Sequence, residues 1–176
     1  MGRLAFWLLF AATVGLYFAM MLWSLPRIAE EAGGLPAFDL RPTGYSFEDA
    51  RAFLAALTPQ GNVFYRNTQH LLDLIFPGLL AALLYWAIAV LLPTRLGGWR
   101  WVLPLPVLVI ALFDWAENHA VGGLLEAGAG GLTPEMAATA SRWSVFKAAG
   151  STVAYTVLLA LLVWRGIVWL RRRTFA

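Results

Sequence analysis

The chain has 176 residues, 60% of them hydrophobic and 13% charged, with a formal net charge of +3; soluble domains carry roughly 25% charged residues, so this is a membrane composition. The absence of cysteine excludes disulfides, thiol nucleophiles and Cys-ligated zinc or iron–sulfur centres. The positive balance does not signal nucleic acid, because the charges sort by membrane side instead of forming a basic face with interleaved aromatics.

Residues 4–25 carry no charge and match the ~20 residues that a membrane helix needs. They read as a first span rather than a secretory signal, whose apolar core is only ~7–15 residues and precedes a small-residue cleavage site. Here Trp23-Ser24-Leu25-Pro26-Arg27 follows. Met1-Gly2 does not open a myristoylation motif, since position 6 is Phe.

Residues 26–57 are polar and broken by Gly33-Gly34, Pro36 and Pro42. Ser46-Phe47-Glu48-Asp49 reads as an N-cap with acids in the first turn. The helix over 47–57 is amphipathic and about three turns long, too short to span, so it is expected to lie on the surface or on the bundle.

Leu57-Thr58-Pro59-Gln60 opens a second long helix, with Thr as N-cap and Pro at the first helical position. Continued through Arg66, Gln69, His70 and Asp73 to Leu92, it is ~50 Å long against ~30 Å of hydrocarbon, so its first turns stand outside the membrane. Pro77 lies four residues after Asp73 and deprives that residue's carbonyl of its helical donor, which predicts a kink beside the acid. A basic turn at 93–101 leads to a third span over 101–121, with Pro104 and Pro106 in its first turns. Gly122-Gly123 and Gly128-Ala129-Gly130-Gly131 then read as a flexible connection. Leu132-Thr133-Pro134-Glu135 opens a fourth long helix that ends in Trp164, Arg165, Trp169 and Arg171-Arg172-Arg173. The two Leu-Thr-Pro starts lie 75 residues apart; Thr-Pro is a common helix start and does not by itself establish a duplication.

The expected architecture is an all-α integral membrane protein of one domain. It is a four-transmembrane-helix bundle with spans over about 4–25, 70–92, 101–121 and 143–168, and with helices 2 and 4 extended outward from about 59 and 134. Arg3, Arg95, Arg100, Arg165 and the terminal arginines share one side that holds no acid. The positive-inside rule therefore makes the bundle N-in/C-in in a bacterial plasma (inner) membrane, with the amphipathic helix in the first outer loop.

Function is read from Leu112-Phe113-Asp114-Trp115-Ala116-Glu117-Asn118-His119, a polar stretch inside the third span. A charge at membrane depth costs at least ~2.5 kcal/mol on insertion scales and marks a working site or a paired group. At 1.5 Å per residue Asp114 lies ~20 Å above Trp101, Glu117 ~24 Å; Asp73 lies ~30 Å above Pro93 and Lys147 ~27 Å above Arg165. All four therefore reach the outer third. Asp114, Glu117 and Asn118 share a helix face, as do Ser144, Lys147, Ser151 and Tyr155, and as do Arg66, Gln69, His70 and Asp73. The first span adds only Thr13, Tyr17 and Ser24. Lys147 is the single lysine beside twelve arginines, a compact ammonium whose roles are charge offset, anion anchor, proton donor or imine former.

These residues predict a polar pocket that binds, and transforms by acid–base chemistry, an amphipathic lipid, sterol or isoprenoid. Asp114, Glu117 and Lys147 are the candidate catalytic groups. Asp73, His70, Asn118, Gln69, Arg66, Ser144, Ser151, Tyr155 and Trp115 are candidate ligand contacts, with Phe76 a further apolar wall. The expected partner is a membrane lipid or lipophilic small molecule. No metal or other cofactor is expected: His70-x-x-Asp73 and Asp114-x-x-Glu117 with His119 could surround one, but the recurring di-iron pattern needs Glu-x-x-His on two helices, which is absent. A transporter or proton relay and an accessory subunit whose polar residues only join helices are the other classes.

In architecture alone the expected bundle resembles two families. Lipoprotein signal peptidase is small, four-spanning and has paired outer aspartates, but its Gly-Asn-x-x-Asp-Arg and Phe-Asn-x-Ala-Asp motifs are missing here. The sterol isomerase and sigma-2 receptor group places acids in a lipid-facing pocket, and Phe113 to His119 does not reproduce its residue order.

Overall fold

Four long apolar helices organise the chain in the computed structural model, which describes residues 2–174. Met1 and the side chain of Arg172, part of the terminal arginine run, lie outside the described residues. In chain order the helices are α1 (Gly2–Glu31), α2 (Phe47–Ala56), α3 (Pro59–Leu91), α4 (Trp99–Gly131) and α5 (Pro134–Thr174). All but α2 are long and apolar enough to cross a membrane. No strand occurs among the described residues.

α1 continues past Leu25, where the first span was expected to end, through Pro26 to Glu31. A π-helical turn over Met20–Ser24 precedes the proline; the wider turn absorbs the register change that a missing N–H demands. The helix stops at Ala32, followed by Gly33 and Gly34 with φ of 64° and 89°, a left-handed conformation that glycine adopts without steric cost. Ser46 and Asp49 form a full capping box at the start of α2. Thr58 caps α3 by accepting from the Gly61 N–H at 3.0 Å, and Thr133 repeats the device on Met136 at 3.3 Å.

α4 departs from the expected limits at both ends. Its start is broken at Leu103-Pro104 and tightened to a 3-10 turn over Leu105–Leu108, because Pro104 and Pro106 withhold their donors. Beyond Val121 it stays helical through Gly122-Gly123, where a flexible connection was expected, and leaves the helix only at Gly128, φ 61°. The His70 ring lies against the Gly122 Cα, 3.5 Å from where a Cβ would stand, so this glycine serves helix packing, not a turn.

α4 packs on both α3 and α5, α1 packs on α3, and α2 lies across α4. The chain folds back and forth, so Gly2, Leu91 and Leu162 meet at one end and the loop 32–58 closes the other. The hydrophobic core sits at this loop end, where Phe38, Phe53, Tyr65 and Leu124 are wholly buried. The terminal end is thinner, with a small cluster of Leu84, Ile110 and Ala154 buried together.

Candidate functional site

The loop end gathers most of the chain's ionisable groups found within the long helices. On α4, Asp114 and Glu117 are one turn apart and face α5. Lys147 on α5 reaches between them: its Nζ lies 3.4 Å from Asp114 Oδ1 and also pairs with Glu117. Glu117 is fully buried. Its Oε1 accepts from the Ser144 hydroxyl, and its Oε2 is matched by the Lys147 ammonium. Lys147 is thus clasped by two carboxylates.

Asp73 arrives from α3. Its Oδ2 accepts from Gln69 Nε2 at 2.7 Å, and Gln69 Oε1 accepts from Ser24 Oγ of α1 at 2.6 Å. Gln69 is wholly buried, so this relay ties the acid on α3 to Ser24 of α1. Asn118 Nδ2 donates to the Asp73 backbone carbonyl at 2.9 Å, the group that Pro77 deprives of its i+4 donor. One turn earlier on α4, Trp115 Nε1 donates to the Leu74 carbonyl at 3.0 Å. Two α4 side chains therefore satisfy α3 carbonyls at the proline.

A cavity of about 230 Å³ opens beside these groups. Asp73, Asp114, Glu117 and Lys147 line it, as do Ser144, Ser151 and Tyr155 from the α5 stripe. Met20, Met21, Leu25, Phe76 and Leu80 form an apolar side, with Tyr17 of α1 at their edge. The wall thus passes from charged to apolar.

Asp39 is the group that sequence reasoning missed. It belongs to a 3-10 turn, Phe38–Leu40, and lines the same cavity together with Leu40, Arg41 and Pro42. The buried Tyr65 hydroxyl donates to its Oδ2 and accepts from the Phe38 N–H at 3.1 Å. Tyr45 N–H docks the following segment on Ser141 Oγ at 2.8 Å. The cover of the cavity is therefore 39–42, and α2 packs beside it on α4. Burial, and then the charge of Glu117, raise the Tyr45 hydroxyl above its ordinary pKa.

The remaining candidates lie elsewhere. The π-turn Tyr65–Gln69 rotates the start of α3 and splits the expected Arg66, Gln69, His70, Asp73 face. Arg66 turns to Glu126 at 2.6 Å on the surface. His70 Nε2 hydrogen-bonds the Asn118 carbonyl at 2.8 Å and lines a separate groove with Trp115, Asn118 and His119. His70 and Asp114 thus belong to different sides of α4, and no three His, Asp or Glu groups converge as a metal site among the described residues.

No family model, curated protein or solved structure matches the chain. What stands is a membrane-compatible four-helix protein with a few buried charged residues.

Proposed function

We propose that this protein binds an amphipathic lipid-soluble molecule, a lipid, sterol or isoprenoid, in the cavity at the loop end, and transforms it by acid–base chemistry. The observation that carries this reading is the coincidence of a charged layer with an apolar wall around one cavity. Asp114 and Glu117 take up and return a proton at the ligand, and Lys147, held between them, offsets their charge. Asp73, fixed by Gln69 and by the Asn118 contact, orients the polar end of the ligand. Ser151 and Tyr155 line its path on α5. With the arginine-rich terminal end in the cytoplasm of a bacterial inner membrane, the cavity opens toward the outer leaflet.

The test is native mass spectrometry of lipids co-purifying with the wild type and with Asp114→Asn, Lys147→Ala and Ser151→Trp. The tryptophan fills the cavity without removing a charge. Loss of a bound species in Asp114→Asn and Ser151→Trp at unchanged unfolding temperature supports the reading; identical cargo in all four proteins sinks it. The Lys147 clasp favours a second reading, in which the charged layer only joins α4 to α5 in an accessory subunit. On that reading the substitutions unfold the protein and no cargo is lost from folded material.

A further inference from the structure

Resting on the pocket reading above, we propose that the ligand is a cationic amphiphile, one protonated or quaternary nitrogen carried on an apolar body. Four carboxylates face the cavity: Asp39, Asp73, Asp114 and Glu117. Both cations beside them are already engaged. Lys147 lies between Asp114 and Glu117; Arg41, at the rim, gives Nε and Nη2 to the Pro36 carbonyl at 3.1 and 2.8 Å.

Asp39 and Asp73 are therefore left without an ion pair among the described residues. Asp73 is only 4% exposed. Its Oδ2 is held by Gln69, and among the described residues no hydrogen bond reaches its Oδ1. A nearly buried carboxylate that lines a cavity with one oxygen unpartnered is a site for a positive group, because its desolvation is offset when a counter-charge enters.

The rest of the wall decides between an inorganic and an organic cation. No metal cluster forms among the described residues, and Met20, Met21, Leu25 and Leu80 give a small hydrated ion nothing to bind. The Tyr17 and Phe76 rings stand 6.2 Å apart on that apolar side, and aromatic faces hold organic ammonium groups. An anionic head would meet four carboxylates, with Lys147 already paired between two of them and Arg41 tied to the Pro36 carbonyl at the rim.

The experiment uses the full chain in nonionic detergent with three probes of equal tail: octyltrimethylammonium, octanol and octanoate. Binding is read by native mass spectrometry and by the shift in unfolding temperature. The ammonium binds one to one, at least about tenfold more tightly than the alcohol or the acid, and Asp73→Asn or Asp39→Asn each lowers its affinity at least about tenfold. Asp39→Asn lies in the covering loop and keeps the measurement open should Asp73→Asn not fold. Glu48→Gln, on the exposed face of α2, leaves binding unchanged. Equal binding of ammonium and alcohol, with both aspartate substitutions silent, overturns the cationic ligand; if Ser151→Trp still removes all three probes, the pocket reading survives that result. Failure of every probe to bind overturns both.

Discussion

The side-chain amide of Asn118 donates at 2.9 Å to the backbone carbonyl of Asp73, the carbonyl that Pro77 leaves without a helical partner. A proline that weakens one membrane helix has thus become the point at which a second helix is attached. The two effects are coupled, and a double-mutant cycle measures the coupling. Asn118→Ala strands the Asp73 carbonyl and lowers stability by about 1–3 kcal/mol. In a Pro77→Ala background the helical N–H at position 77 is restored and the same substitution costs less. Equal costs in the two backgrounds, measured by thermal unfolding in detergent, would show that the amide contributes nothing at the kink.

Removing the Lys147 ammonium leaves Asp114 and Glu117 buried together without their counter-ion. Lys147→Ala is expected to destabilise by about 3–5 kcal/mol. Adding Asp114→Asn and Glu117→Gln removes the unpaired charge and returns most of that loss. An expression and unfolding series on the single and triple variants checks the order of the three proteins.

Gly61 reverses an ordinary helix rule. Alanine normally stabilises a helical position over glycine by about 1 kcal/mol. A Cβ at 61, however, would stand 2.5 Å from Glu31 Cβ and 2.8 Å from Leu57 Cδ1. The Thr58 N–H holds this end of α1 in place through the Glu31 carbonyl at 2.9 Å. Gly61→Ala therefore lowers the unfolding temperature; a rise would show that the α1 end can move away.

The α2 capping box carries a pH dependence. The Ser46 backbone N–H and hydroxyl bond the Asp49 carboxylate at 3.0 and 2.8 Å and hold it below the usual carboxylate range. The folded pKa lies below the unfolded one, so the stabilisation is full above the unfolded value and is lost as pH falls through the folded value. Carbon-13 titration of the Asp49 carboxyl reads this directly: the midpoint is depressed in the wild type and returns toward the ordinary value in Ser46→Ala.

Sidedness is testable because the chain has no cysteine. A maleimide that does not cross membranes reaches Glu48→Cys from outside intact cells and does not reach Gly98→Cys, a turn position with open space around it. The opposite pattern would invert the proposed orientation.

The long helices were legible because apolar length and helix-start chemistry are local properties: residues 4–25, Thr58-Pro59 and Thr133-Pro134 announce themselves. So was the α5 stripe, since Ser144, Lys147, Ser151 and Tyr155 follow the helical period and all line the cavity. Asp39 was not legible. It sits in a loop whose position depends on Tyr65, 26 residues away, and no local pattern distinguishes it from a solvated acid. The π-turns at Met20–Ser24 and Tyr65–Gln69 also leave no periodic mark, and the second sends Arg66 and His70 away from Gln69 and Asp73. Gly122-Gly123 read as a turn because a glycine pair means either backbone freedom or close approach, and only the neighbouring His70 ring decides which.

The clasp on Lys147 bears on how the protein is made. A chain synthesised from its N-terminus presents Asp114 and Glu117 before Lys147 has been translated. The third span then offers the bilayer two uncompensated acids, and its counter-ion arrives only with the last helix. Secure integration of α4 is accordingly a joint event with α5. A nascent chain arrested ahead of Pro134 should hold α4 at the insertion machinery, or slip it back out, until the lysine follows.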